Sequence, residues 1–227
     1  MKNLFIAMPI HDKPAPQNEV AMVRFAYELG WEREYNLIFQ TALQSSDLPR
    51  TRNLLLQKAR DANADLLLWV DDDIYFKPQH FYDLVNALEP GVVDIIAGAY
   101  PKKLPGEIAV GDRTPERTER GPLFDMLVVG MGFTLLTRTA IDALLEHYGD
   151  FKYIDDDGHS ITGIFEKKVE FDTIAQTNRF VGEDEMLCRK WRALGHKIWL
   201  HRYVQLGHVG LHMYQFTPDE PEAPPKP

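Results

Sequence analysis

The chain has 227 residues, enough for one substantial core, and its 44% hydrophobic and 26% charged residues are ordinary for a soluble globular protein. Its 34 acidic residues outnumber 25 basic ones, and the net charge of -9 argues against broad electrostatic binding to nucleic acid or anionic membrane. The single cysteine, Cys188, excludes an internal disulfide framework and favours a reducing compartment. Its apolar neighbours indicate a role in core packing.

Apolar stretches in this chain are short. None approaches the roughly 18 residues needed to cross a bilayer, and residues 2–8 are typical of a core strand, not of a signal peptide. The sequence therefore predicts a cytoplasmic protein without membrane insertion. Residues 1–215 are expected to form one domain, and residues 216–227, rich in Pro and Glu, are expected to be a disordered tail.

Periodicity and turn residues predict alternating strands and helices. Strands are expected over residues 4–8, 35–40, 66–70, 92–97, 123–129, 133–137, 197–200 and 203–206, with one or two more in 161–171. Helices are expected over residues 18–29, 50–63, 78–89, 138–147 and 182–194. Val20, Val23 and Tyr27 give the first helix its apolar positions, and Gly30 is expected to end it. Strand, helix and strand in succession predict βαβ units of an α/β fold.

The stretch Leu66–Val70 is followed directly by three carboxylates, Asp71, Asp72 and Asp73. A continuous apolar run predicts a strand covered on both faces, and unpaired carboxylates at its tip are tolerable only where water, cations or a ligand reach them. On an extended segment Asp71 and Asp73 would point to the same side and share one divalent ion. A solvated acidic turn or a helix N-cap is the alternative.

Basic side chains at three places are candidates for contacts with an anion. Arg50 and Arg52 fall in the first turn of a predicted helix, where they oppose the helix dipole; an anionic partner explains them, and ordinary solvated arginines are the alternative. Lys102 and Lys103 follow the small residues 98–99 and offer charge to a phosphate or an acceptor. The loop after Pro9 lies where a doubly wound fold meets its ligand, so it is expected to touch a nucleotide.

Glycine-rich and acidic turns carry further expectations. The charged segment 104–121 is predicted to be a mobile lid, with at most one short strand, that orders over a bound donor. Gly130-Met131-Gly132 indicates a bulge or a site where a ligand meets the backbone. Asp155-Asp156-Asp157-Gly158 favours a hairpin turn, with calcium binding as the minority alternative.

Two later positions complete the set of candidates. Glu183 and Asp184 open a helix, where acidic residues are also favoured by the dipole alone. His208 stands between Gly207 and Val209-Gly210, and a structural histidine is its plain alternative.

An apolar strand ending in Asp71-Asp72-Asp73, then Gly182-Glu183-Asp184, then Gly207-His208, resembles the metal-dependent GT-A-type glycosyltransferases over residues 2–212. The stretches 50–53, 98–103 and 129–133 resemble small stand-alone bacterial and phage members. The resemblance implies a single Rossmann-like, open, mostly parallel twisted sheet with helices on both faces. It also implies transfer of a hexose from a nucleoside-diphosphate sugar, with UDP favoured, to an acceptor hydroxyl.

The resemblance further implies roles for individual residues. Asp71 and Asp73, with His208, would hold Mn2+ or Mg2+ on the donor diphosphate, Asp72 would assist in binding the nucleotide sugar, and Asp184 of the Glu183-Asp184 pair would be the base. A divalent ion stabilises charge on a diphosphate leaving group, and an attacking hydroxyl needs a carboxylate on the acceptor side, so the chemistry agrees with two separated acidic clusters. Inversion is favoured; in a retaining enzyme Asp184 would only bind sugar.

Two other functions remain open at this point. A sugar-nucleotide nucleotidyltransferase is disfavoured because no glycine precedes Gly30 in the region after the first strand. A nucleotide- or carbohydrate-binding module without turnover would share the fold. The acceptor is a glycan or another hydroxyl compound; modified DNA is disfavoured by the acidic net charge, although Lys102, Lys103 and nearby arginines offer a local basic rim.

Overall fold

The computed structural model describes residues 1–10, 13–43, 47–104, 110–155, 158–173 and 175–216. Its helices are α1 (Pro16–Glu32), α2 (Leu48–Asp61), α3 (Pro78–Asn86), α4 (Arg138–His147) and α5 (Glu183–Ala193). Its strands are β1 (Lys2–Ile10), β2 (Tyr35–Leu43), β3 (Leu66–Val70), β4 (Ile74–Tyr75), β5 (Ile95–Ala99), β6 (Gly111–Arg113), β7 (Glu119–Arg120), β8 (Leu123–Val129), β9 (Phe133–Thr137), β10 (Lys152–Ile154), β11 (Ser160–Thr162), β12 (Lys168–Asp172), β13 (Thr177–Val181), β14 (Ile198–Gln205), β15 (Gly207–Val209) and β16 (Met213–Tyr214). Within these ranges no helix combines the length and apolarity that a bilayer crossing requires.

One nine-stranded sheet organises the molecule, in the order β2-β1-β3-β9-β5-β14-β8-β6, with β7 also paired to β8. The pairs β1–β2, β1–β3 and β5–β14 are parallel, whereas β9 runs against both of its neighbours, as does β8 against β14, β6 and β7. All strands but β8 and β9 therefore point the same way. This confirms the predicted mostly parallel α/β sheet.

Helices cover both faces of the sheet, as predicted. Successive residues of a strand point to opposite faces, so Leu66, Leu68 and Val70 of β3 pack with α1 and α3, and Leu67 and Trp69 pack with α2, α4 and α5. All five residues of β3 are buried. The acidic turn after β3 therefore starts from a strand fixed on both sides.

Most elements agree closely with the sequence predictions, and two differ. Strands β3, β8 and β9 and helix α4 have the predicted bounds. Helix α1 runs through Gly30 to Glu32, and Arg33, with a φ of 55°, is its left-handed cap. The predicted apolar positions Val20, Val23 and Tyr27 face solvent, and Phe25 and Leu29 are buried instead. The two strands predicted over 197–206 are one strand, β14, which shifts register between His201 and Gln205.

The predicted lid over residues 104–121 is wrong for the part that the structure describes. Residues 111–113 and 119–120 pair with β8 at the edge of the main sheet. The guanidinium groups of Arg113 and Arg202 lie over the Phe124 ring at 3.9 and 4.4 Å, and both arginines form ion pairs with Glu119. Charged side chains thus find partners here that composition does not reveal. Residues 105–109 lie outside the described residues.

Three small sheets complete the fold. The hairpin β10–β11 places Asp155 and Gly158 in its turn, as predicted, with Asp156 and Asp157 outside the described residues. A second hairpin, β12–β13, leads into α5. The sheet β4-β15-β16 pairs His208 with Ile74, the residue after Asp73. The tail beyond residue 216, and the loop residues His11 and Asp12, lie outside the described residues.

Candidate active site

The acidic stretch after β3 forms a tight turn. The Ile74 amide donates to the Asp71 carbonyl at 3.2 Å, and the fully buried Asn18 side chain donates from Nδ2 to the carbonyls of Asp71 and Ile74 at 3.0 and 2.9 Å. The expectation that Asp71 and Asp73 point to one side of an extended segment is therefore wrong. The turn sends their side chains to different partners, and Asn18 holds its shape.

Asp71 is bound to a buried arginine. Arg52 is only 1% exposed, and its Nη2 lies 3.1 and 3.2 Å from the two carboxylate oxygens of Asp71. The same nitrogen lies 3.7 Å from Oδ1 of Asp184, at the start of α5. A buried cation needs paired anions to offset its desolvation. The anionic partner expected for Arg52 is thus the pair Asp71 and Asp184 of the protein itself.

One carboxylate oxygen of Asp184 accepts a hydrogen bond, and the other faces the Arg52 guanidinium at 3.7 Å. The Met131 amide donates to Oδ2 at 3.0 Å, whereas no described group forms a hydrogen bond with the buried Oδ1. Burial, and then the nearby charges of Asp71 and Glu183, raise the pKa of Asp184 to about 6, against the opposing effects of Arg52 and the Met131 amide. A carboxylate with one oxygen that accepts no hydrogen bond from a described group, and with a pKa close to neutral, is suited to accept a proton.

Asp73 and His208 meet on the other side of the turn. Nε2 of His208 lies 3.5 Å from Asp73 Oδ2, and the Lys103 ammonium forms an ion pair with the same oxygen. Burial tends to raise the pKa of Asp73, but hydrogen bonds from His208 and Lys103 outweigh it and hold that pKa below its usual range. Asp73 is therefore ionised at neutral pH. The aliphatic part of Lys103 lies against Gly210.

The donor set of Asp73 and His208 fits a divalent cation. Nδ1 of His208 is 2.8 Å from the Pro101 carbonyl, which can only accept, so Nδ1 carries a proton and Nε2 is the ring nitrogen that faces Asp73. A carboxylate and an imidazole nitrogen on the same side of the turn are both ligand types that a divalent cation accepts. Asp71 is held by Arg52 but lies near this pair, since burial and then the charge of Asp73 raise the pKa of Asp71 against the effect of Arg52. In the described part of the chain no three His, Cys, Asp or Glu side chains converge on one point.

A crevice of about 500 Å³ adjoins this pair. Residues 13–17 border one side, and Asp72, Asp73 and residues 209–212 border the other. The Ala15 amide donates to the Asp72 carbonyl at 2.8 Å, which joins the two sides. The loop after β1 therefore lies against the acidic turn. Pro9 itself is buried within β1, next to Ala42 of β2, and forms no part of the crevice lining.

The remaining candidates lie at the edges of the site. Arg50 is 3.5 Å from Asp155 in the β10–β11 turn, and the Asp47 side chain caps α2 by accepting from the Arg50 amide. Lys102 is exposed beside Lys103. Glu183 lies 3.6 Å from Lys167, and its charge is near enough to Asp184 to help raise the pKa of that residue after the larger effects of burial and Asp71. The structure thus gathers Asp71, Asp184 and Arg52 in one cluster, and Asp73, His208 and Lys103 in another.

Sequence reasoning missed Tyr100 as part of the site. Its ring fills the space above Gly130 and Gly132, and the Gly132 amide donates to its hydroxyl at 3.1 Å. A Cβ on Gly130 would lie 2.0 Å from the Tyr100 hydroxyl oxygen. What meets this glycine backbone in the described structure is therefore Tyr100. The pairing of an aromatic residue with a Gly-x-Gly bulge was the available signal.

Comparisons with known proteins establish the fold. No protein-family model matches the chain, and no curated protein matches it by sequence. Among solved structures it is similar to A197 from STIV, with a TM-score of 0.55 and 14% identity over 98% of each chain. It is also similar to GalNAc-T7, crystallised with UDP, GalNAc and Mn2+, with a TM-score of 0.50 and 12% identity over 92% of this chain and 44% of that one.

A weaker likeness joins it to a glycosyltransferase involved in glycosylation of the major capsid of PBCV-1, with a TM-score of 0.37 and 11% identity over 62% of each chain. The fold is GT-A-like, which confirms the resemblance in architecture. Identities of this size show a shared fold alone.

Proposed function

We propose that the protein is a glycosyltransferase that moves a sugar from a nucleoside-diphosphate sugar to an acceptor hydroxyl. The observation that carries the proposal is the division of the acidic residues. Asp73 and His208 lie together beside a crevice, where they could hold a cation, and Asp184 is a separate carboxylate with a raised pKa. Glycosyl transfer needs these two functions at separate places, one at the leaving diphosphate and one at the nucleophile.

The donor would bind with its diphosphate at Asp73 and His208. Mn2+ or Mg2+ held there would stabilise the negative charge that develops on the leaving diphosphate. Lys103 already lies at Asp73, and Lys102 lies beside it, so both ammonium groups are placed to bind phosphate oxygens. The crevice bordered by residues 13–17 would take the nucleoside. UDP is the nucleotide to test first; it is the one crystallised with GalNAc-T7, which has a similar fold.

Asp184 would accept the proton of the attacking hydroxyl through Oδ1. Arg52 neutralises Asp71, so Asp184 can ionise near neutral pH despite a second carboxylate close by. The Met131 amide fixes the carboxylate plane by donating to Oδ2. A direct attack assisted by this base would invert the anomeric carbon. Glu183, ion-paired to Lys167, would take no part in the proton transfer.

The test is release of nucleoside diphosphate from a panel of UDP-, GDP- and other nucleotide sugars, with Mn2+ and with chelator. The proposal expects release from at least one donor, dependent on the metal, and its loss in Asp184→Asn with donor affinity retained. Binding of nucleotide or glycan without turnover of any donor would indicate a binding module instead. A product with retained anomeric configuration would reduce Asp184 to a sugar-binding residue.

A further inference from the structure

The hairpin β12–β13 turns its charged face toward the protein and its apolar face toward solvent, the reverse of an ordinary surface hairpin. Its register pairs Glu170 with Arg179, and this charged face lies against α5. The Arg189 guanidinium binds both Glu170 carboxylate oxygens, at 2.7 and 2.9 Å, and Arg179 forms an ion pair with Glu185. Interlocked ion pairs with bidentate geometry fix a surface element better than isolated pairs. The hairpin is thus fastened to α5 by its charges.

The opposite face of the same hairpin is apolar and open to solvent. Val169 and Phe180 are direct cross-strand partners, and Phe171 is paired with Asn178, so these four side chains share one face. Val169, Phe171 and Phe180 are 66%, 57% and 63% exposed. A contiguous apolar face held toward water costs free energy and is typical of a binding surface. We call these four residues the outer face.

The outer face lies close to the proposed base. β13 ends at Val181, and Phe180 precedes Asp184 by four residues, which limits the distance between their Cα atoms to about 14 Å. A short oligosaccharide with one hydroxyl at Asp184 can reach this face. The outer face is therefore within the length of a short oligosaccharide of the proposed base.

Resting on the proposed function, we propose that the outer face binds the acceptor and that the acceptor is a neutral glycan. Phenyl rings present faces of negative potential to the C–H groups on one side of a pyranose ring. The Asn178 carboxamide both donates and accepts, which matches neighbouring sugar hydroxyls. A lipid surface fits less well, because it would bury that amide without a partner, and because Lys168, Arg179 and Arg189 are already ion-paired with Glu170.

The experiment measures acceptor binding without catalysis. Neutral tetrasaccharides of glucose, galactose, mannose and N-acetylglucosamine are titrated into the full chain by calorimetry, and the best is repeated with Phe171→Ala, Phe180→Ala and Phe171→Tyr. Phe151→Ala is the matched control, because Phe151 is a 67% exposed phenylalanine on the other hairpin. Each alanine variant of the outer face is expected to weaken binding about tenfold, with Phe171→Tyr and Phe151→Ala close to wild type.

Two further readouts separate this proposal from the proposed function. Melting temperature and Mn2+–UDP affinity should be unchanged in the outer-face variants, since the charged face and the donor site are untouched. If the wild type turns over no donor, but substitutions in the outer face still weaken glycan binding, the proposed function is contradicted and the acceptor-binding proposal stands. No binding of any tetrasaccharide at millimolar concentration, equal loss in Phe151→Ala, or Phe180-dependent sedimentation with phosphatidylcholine vesicles would overturn it.

Discussion

Replacing Asp184 by asparagine should make the protein more stable and less active at once. Burial raises the pKa of this carboxyl from 3.8 to about 6, so the native state binds a proton more tightly than the unfolded state. For an acid with a raised pKa, the linked stability is fully present below the unfolded value and is lost as the pH rises through the folded value. Above pH 6 the ionised Asp184 therefore destabilises the wild type.

The size of the effect follows from the pKa difference. At about 1.36 kcal/mol for each tenfold change in the ionisation constant, a rise from 3.8 to about 6 corresponds to about 3 kcal/mol. Asparagine is neutral at every pH and can still accept from the Met131 amide, while Arg52 keeps Asp71. The value of about 3 kcal/mol is an upper limit for the gain in unfolding free energy. The amide nitrogen of asparagine would face Arg52 and cannot accept a hydrogen bond from it.

The assay is urea unfolding of both proteins between pH 4 and pH 8. Asp184→Asn should gain stability over wild type progressively from about pH 4 to pH 6 and then reach a constant difference. Glu183→Gln, one residue away, is the matched control and should show no such gain, because it removes the ion pair with Lys167. A stability difference that is independent of pH, or a less stable Asp184→Asn at pH 8, would refute the reasoning.

Three further outcomes follow from the same geometry. Arg52→Met should cost about 3–5 kcal/mol of unfolding free energy, because it removes the buried cation that the half-buried carboxylates of Asp71 and Asp184 share; a loss below about 1 kcal/mol would mean that the arginine is not buried as described. His208→Gln should abolish the stabilisation of about 2.7 kcal/mol that UDP with Mn2+ at 100 times its dissociation constant gives the wild type, and an equal shift in the variant would remove His208 from the site. Gly130→Ala should cost about 1–3 kcal/mol in thermal unfolding, and Tyr100→Phe should recover part of that loss because the added Cβ would lie 2.0 Å from the Tyr100 hydroxyl oxygen; strictly additive losses would contradict the contact.

The elements were predictable where the local pattern and the tertiary environment agree. β3, β8, β9 and α4 have continuous apolar runs or clear caps, and each has the bounds that the sequence predicts. In α1 the apolar residues are spread around the helix, so the pattern cannot choose the buried side, and tertiary packing selects Phe25 and Leu29. The lid prediction for the charged segment 104–121 was wrong for a related reason, because Arg113 stacks on Phe124 and Glu119 pairs with Arg202, and both partners lie outside the segment.

The site was predictable as a set of residues and not as a set of contacts. The sequence places acids after β3 and at the start of α5, but it does not reveal that the chain turns between Asp71 and Asp73. That turn depends on the Asn18 amide, 53 residues away from Asp71 in sequence. The burial of Arg52 between Asp71 and Asp184 likewise depends on the packing of α2 and α5 against one side of the sheet.

Steady-state release of nucleoside diphosphate by wild type, Asp73→Asn and Asp184→Asn tests most directly whether the two clusters have separate roles. We expect Asp73→Asn to raise the KM for the donor and the requirement for Mn2+, because this carboxylate faces the Nε2 atom of His208. We expect Asp184→Asn to lower kcat by about 10²–10⁴-fold with the donor KM nearly unchanged. Near-wild-type kcat in Asp184→Asn, or a loss in Asp73→Asn confined to kcat, would contradict the account.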